Sequence, residues 1–165
     1  MRRRRPAWAL PLGALVTLAG PALAGTANVQ CVNTGHYTDV GTTKWDEKNN
    51  LQTLGDHLKH LATQLPEGQT LNIEVLDVDL AGEARPSRRG DWIRITRGMA
   101  DWPRMTLRYT LQAPDGQTLR QAEEHLSDSS YMDRSWAVDS DPLRYEKRML
   151  DDWFRKTFTQ AHAQR

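Results

Sequence analysis

Residues 51–75 read LQTLGDHLKHLATQLPEGQTLNIEV, and the hydrophobic period changes partway along. Leu51, Leu54, Leu58, Leu61, Ala62 and Leu65 recur at steps of three and four, which lines them up on one stripe of an α-helix. Pro66 and Gly68 stop that helix. Directly afterwards Leu71, Ile73 and Val75 alternate with Asn72 and Glu74, the pattern of a half-buried strand that continues toward Leu80. The stretch therefore predicts a helix from about Asp46 to Leu65 feeding a strand. Upstream, residues 27–33 place Ala27, Val29 and Cys31 on one face of a short strand, and residues 34–44 form a polar loop with Gly35 and Gly41. A helix between two strands makes those strands parallel through a right-handed crossover.

Downstream, residues 81–91 read as a charged loop with Gly82, Pro86 and Gly90, and Trp92 to Thr96 as a short strand. Met105, Leu107, Tyr109 and Leu111 alternate again. Pro114-Asp115-Gly116 is a hairpin turn, and Gln117 to Leu126 returns as the partner strand. Asp141 fits the N-cap and Pro142 the first position of a last helix, whose apolar stripe is Leu143, Leu150, Trp153, Phe154 and Thr157. The expected fold is α+β: a single domain with a mixed, mostly antiparallel sheet in the order β-α-β-β-β-β-α and two helices packed on one face.

Length and charge narrow the class. A chain of 165 residues suits one domain. Residues 1–24 read as an export signal: Arg2 to Arg5, an apolar run from Ala7 to Gly20, and Ala22-Leu23-Ala24 ahead of cleavage. The expected product is a soluble domain over residues 25–165, periplasmic or secreted. The whole chain has 22 basic and 21 acidic residues; without the four leader arginines, 18 basic face 21 acidic, a net charge of −3 with histidine neutral. That balance argues against a basic nucleic-acid binder. One cysteine forms no disulfide framework or thiolate zinc cluster, and no apolar run approaches the ~18 residues of a membrane span.

Several stretches together carry a resemblance. They are Leu65-Pro66-Glu67-Gly68, Asp77-Val78-Asp79-Leu80-Ala81-Gly82-Glu83, Leu126-Ser127-Asp128 with Tyr131, Glu146 through Phe154, and Tyr37-Thr38-Asp39 near the start. In these the chain resembles a bacterial secreted family catalogued as domain of unknown function 3016. The resemblance implies an exported protein with no assigned activity and no catalytic residues to carry over. Cys31 departs from the apolar residue expected in its strand, and it is read as a small hydrophobe.

Asp77, Asp79 and Glu83 form an acidic run. Asp39 joins them because parallel first and second strands end on one sheet edge, and a hard cation takes such oxygens. No Asp-x-Asp-x-Asp-Gly loop accompanies them, so these carboxylates are expected to accept backbone N–H groups and cap turns, with Asp39, Asp77 and Asp79 as the metal candidates. With Trp92–Thr96 as a strand of the main sheet, alternation sends Asp128 to the opposite edge. His57 and His60 lack a His-Glu-x-x-His setting and read as surface histidines. No Gly-x-Ser-x-Gly elbow is present, Cys31 has no recognisable base, and Ser127-Asp128-Ser129-Ser130 reads as a turn.

Arg85, Arg88 and Arg89 share a loop suited to bidentate anion contacts, although short charge runs are commonly just solvated. Glu146 falls on the apolar stripe of the last helix. It either pairs with Arg94 or Arg108 or draws on the helix N-terminus. Trp45, Trp102 and Trp136 fall in predicted loops, where indoles anchor an envelope protein, a peptide or a glycan, or else fold over the ends of a thin core. The reading that follows is an exported, non-enzymatic accessory or binding module without a cofactor. The alternatives are a metal-assisted hydrolase using the Asp39, Asp77 and Asp79 edge, and a structural envelope protein that self-associates through its sheet edge.

Overall fold

The computed structural model describes residues 24–133 and 140–159. Its elements are β1 (Thr26–Cys31), a 3₁₀ turn (Thr34–His36), α1 (Lys44–Ala62), β2 (Thr70–Asp79), β3 (Glu83–Pro86), β4 (Trp92–Ile95), β5 (Arg104–Gln112), β6 (Thr118–Ser127) and α2 (Arg144–Phe154), which runs on into a π-helical turn (Arg155–Thr159). The main sheet has the order β1-β2-β5-β6. β1 is parallel to β2, with Ala27 opposite Leu71 and Val29 opposite Ile73, while β2–β5 and β5–β6 are antiparallel. The fold is the expected α+β domain.

Alternation explains how the sheet buries one face. Leu71, Ile73 and Val75 of β2 and Met105, Leu107, Tyr109 and Leu111 of β5 are buried against Leu54, Leu58 and Leu61 of α1 and Leu150, Trp153 and Phe154 of α2. A bulge between Val75 and Asp77 shifts the phase, so Val78 returns to the core and Asp77 and Asp79 turn outward. The opposite face is polar. Asn28, Asn72 and Gln112 form an amide ladder with 2.9 Å hydrogen bonds, and Arg108 bridges Glu74 and Glu123 at 2.9 Å each. On the edge strand β6, Arg120 and Glu124 stand opposite Leu111 and Leu107 and so lie on the helix side. Arg120 there donates to the Thr157 carbonyl at 2.7 Å.

Four expectations are corrected. The supposed loop at 81–91 contains β3, which pairs with β4 as a separate two-stranded hairpin rather than placing β4 in the main sheet. Gly82 makes this reversal, with φ +80° and only 2.6 Å between the point a Cβ would occupy and the Ile95 carbonyl oxygen. Because β5 takes the place beside β2, β6 runs parallel to β2, and Asp128 emerges on the same edge as the ends of β1 and β2. α1 begins at Lys44, ahead of Asp46, because Thr43 and Asp46 form a reciprocal capping box. α2 begins at Arg144 with Leu143 as N-cap; Asp141 instead accepts the Leu143 N–H at 2.8 Å and holds the preceding turn.

Candidate functional site

The capping box that starts α1 places Trp45 on the first helical turn, where it is 72% exposed. The β3–β4 hairpin has no second layer among the described residues, and Trp92 is 55% and Ile93 47% exposed. These three side chains line one groove of about 580 Å³, together with Asn49, Asn50 and Thr53 of α1 and Pro142 and Leu143 ahead of α2. That volume lies in the range of ligand clefts.

One ion pair fixes the hairpin wall. Arg94 of β4 holds Asp39 through two 2.9 Å hydrogen bonds and reaches the Gly82 carbonyl at 3.1 Å. Asp39 is itself locked to the end of β2: its N–H donates to Val78 at 2.9 Å, and its carbonyl accepts from Leu80 at 3.0 Å. Behind this clamp, Tyr131 is buried and donates to Asp101 at 2.8 Å while accepting from Gly98 at 3.1 Å, which ties down the segment between β4 and β5.

Glu146 takes neither arginine as a direct partner. Arg94 is bonded to Asp39, and Arg108 lies on the far face of the sheet between Glu74 and Glu123. Glu146 instead accepts the Ala81 N–H at 2.7 Å in a fully buried position. Burial pushes its carboxyl pKa up, opposed by the Ala81 hydrogen bond and by the positive charge of Arg94 and Arg144. A raised folded-state value means that Glu146's contribution is fully present below the ~4.3 of a free glutamate and is lost as pH rises through the raised value. Asp46, Asp101 and Asp141 act in the opposite sense. Asp46 is held low by the Thr43 and Thr42 hydroxyls. For Asp101 and Asp141, burial opposes the charge but is outweighed, by the Arg97 N–H and Tyr131 hydroxyl in one and by Lys147 and the Leu143 N–H in the other. Their contribution is lost as pH falls below the ordinary aspartate range. Glu146→Gln keeps an acceptor for Ala81, so it is expected to abolish the decline in melting temperature above about pH 4.3 and leave the acid-side decline intact. Thermal melts of both proteins across that range check this; parallel profiles would contradict it.

The acidic candidates meet on one edge through the parallel bridge of Asp39 with Asp79, but each already has a partner. Asp39 holds Arg94, Asp79 accepts from Arg104 at 2.9 Å, and Asp77 accepts the Thr38 N–H at 2.7 Å and its hydroxyl at 2.8 Å. Among the described residues no three His, Cys, Asp or Glu side chains come together in a way that would hold a metal ion. Asp128 accepts the Ser130 N–H and hydroxyl at 3.1 Å in the turn after β6. His57 meets Asp151 at 2.7 Å and so joins α1 to α2, while His60 is exposed.

Arg85 pairs with Glu83 at 2.7 Å, and Arg88 and Arg89 are exposed in the hairpin turn, away from the groove. Trp102 packs on Ala81, Tyr131 and Tyr145 with the Arg104 guanidinium 4.7 Å over its ring, a packing role on one side at least. Trp136 lies outside the described residues. Trp92 and Ile93 were not among the expected partner-binding residues, since a strand of the main sheet would have buried one of them.

A four-stranded mixed sheet carrying two helices on one face, with an appended two-stranded hairpin that walls the groove, defines a small α+β domain. A family model described as "Protein of unknown function (DUF3016)" matches residues 25–156, and the chain belongs to that family. No curated protein and no solved structure matches the chain. Among the described residues, no helix is long and apolar enough to cross a membrane.

Proposed function

We propose that this chain is a non-enzymatic binding module of the bacterial envelope, exported and cleaved after Ala24, that engages its partner through the groove between α1 and the β3–β4 hairpin. The observation that carries the reading is the exposure of Trp45, Trp92 and Ile93 along one groove of about 580 Å³. Water contact on so much aromatic and aliphatic surface is unfavourable, and a partner that covers it gains that free energy back on binding. The basic start, apolar run and Ala22-Leu23-Ala24 site support export.

The test is recovery of the tagged chain from a bacterial periplasmic fraction, followed by cross-linking to envelope components. The expected result is a polypeptide beginning at Gly25 that retains a component which the Trp45→Ala/Trp92→Ala double variant loses. A full-length chain in the cytoplasmic fraction would overturn the export half. Identical capture by both proteins would overturn the groove.

A further inference from the structure

We infer that the ligand of this groove is an uncharged stretch of polysaccharide, an assignment that rests on the groove being the partner site. The charged side chains lining it are Asp46, Arg94, Asp141 and Lys147, and each is already committed. Asp46 accepts from Thr42 and Thr43 in the capping box, Arg94 holds Asp39, and Lys147 is paired with Asp141. An anionic ligand would meet Arg94 and Lys147 already neutralised by Asp39 and Asp141, and a cationic one would have to displace Lys147 from Asp141 or the Thr42 and Thr43 donors from Asp46. Each such displacement strips an existing charge-assisted hydrogen bond. The net charge of −3 from Gly25 onward further disfavours a polyanion.

The uncommitted polar groups are neutral. The side chains of Asn49 and Thr53 make no hydrogen bond among the described residues, and Asn50 uses its amide N–H on the Val40 carbonyl at 2.9 Å but keeps its side-chain oxygen available. An amide supplies two donors and an acceptor, and a hydroxyl supplies both roles, which is the complement of a rim of sugar hydroxyls. The indoles supply the other half. A pyranose ring has an apolar C–H face that lies flat on an aromatic surface, whereas a peptide anchor needs an enclosed, dry pocket. Trp45 and Trp92 are each more than half exposed, so they present surfaces rather than enclose a hole. Exposed indoles beside neutral amides and hydroxyls suit a sugar chain better than a side-chain plug.

The exported protein is titrated with cellohexaose and hexa-N-acetylchitohexaose, with hexagalacturonate as the anionic comparison and an uncharged extended peptide as the polypeptide comparison. Tryptophan fluorescence and calorimetry provide the readouts. The expected result is saturable binding of at least one neutral hexasaccharide that persists at high salt, because no charge is exchanged. Trp45→Ala and Trp92→Ala should each weaken it about tenfold or more, with melting temperatures at the wild-type value because both rings stand largely in solvent. No response to either neutral saccharide at millimolar concentration, a preference for hexagalacturonate or the peptide, or unchanged affinity in both variants would each overturn the assignment. If the saccharides fail while capture of an envelope component still depends on Trp45 and Trp92, the ligand class is wrong and the groove stands; if both fail, the groove falls with it.

Discussion

Trp153→Ala is expected to destabilise the domain by ~3–5 kcal/mol, the usual cost of emptying a fully enclosed aromatic site. The indole is 6% exposed and lies between α2 and the sheet. It meets Tyr109 edge-on with ring centres 5.7 Å apart and Phe158 at 5.5 Å, so its removal leaves a void bounded by rings that cannot collapse without leaving their own contacts. Such a loss is a large part of the ~5–15 kcal/mol that holds a domain of this kind together. Its indole N–H has no acceptor among the described residues, so Trp153→Phe forfeits volume but no hydrogen bond and should fall well short of the alanine effect. Trp102→Ala should also cost much less, since that ring is only part-buried and one side is covered by the guanidinium of Arg104 rather than by core side chains. Urea midpoints of the three variants rank these effects. Unfolding by Trp102→Ala alongside a small shift for Trp153→Ala would reverse the packing assignment.

Arg94→Met should cost about 2–3 kcal/mol, and its main effect is local. The Arg94 and Asp39 side chains keep 24% and 28% of their surface, so solvent partly screens the pair and the full penalty of a buried charge does not apply. What is lost is the join between the hairpin and the end of β2. Amide hydrogen exchange across Glu83–Ile95 should accelerate far more than exchange in β2 and β5, because the hairpin opens without the sheet. Asp39→Asn should give the same pattern at smaller amplitude. Exchange that stays slow throughout the hairpin would show that its backbone contacts alone hold it.

The elements that declared themselves in the sequence are those with long periods. Leu51 to Leu65 and Leu71 to Val75 repeat often enough for geometry to settle their type, and the sheet's core face follows from alternation. The hairpin was hidden for two reasons. Glu83–Pro86 and Trp92–Ile95 are four residues each, too short for periodicity, and the first is written in charged residues and proline. Which strand takes the open side of β2 is a competition that no local pattern states. The nine residues of β5, with four buried apolar side chains, pair over more length than β4 can, and the position of Asp128 follows from that outcome. The acidic edge was legible as a place but not as a set of partners, because Arg94 and Arg104 reach it from 55 and 25 residues away. The groove draws on residues 41–53, 84–94 and 141–147, and only Trp45 signalled it, as an indole in a predicted loop.

The arrangement of β6 bears on how these molecules behave when crowded. An outermost strand ten residues long is a template on which another chain can polymerise, and the hazard grows with concentration. Here the template is spoiled from the inside. With Arg120 and Glu124 turned toward the helix layer, a second strand laid alongside would trap both charges beneath a growing sheet, at a cost that its backbone hydrogen bonds do not recover. On this edge the two charges take the part of gatekeepers, disfavouring a further strand on β6.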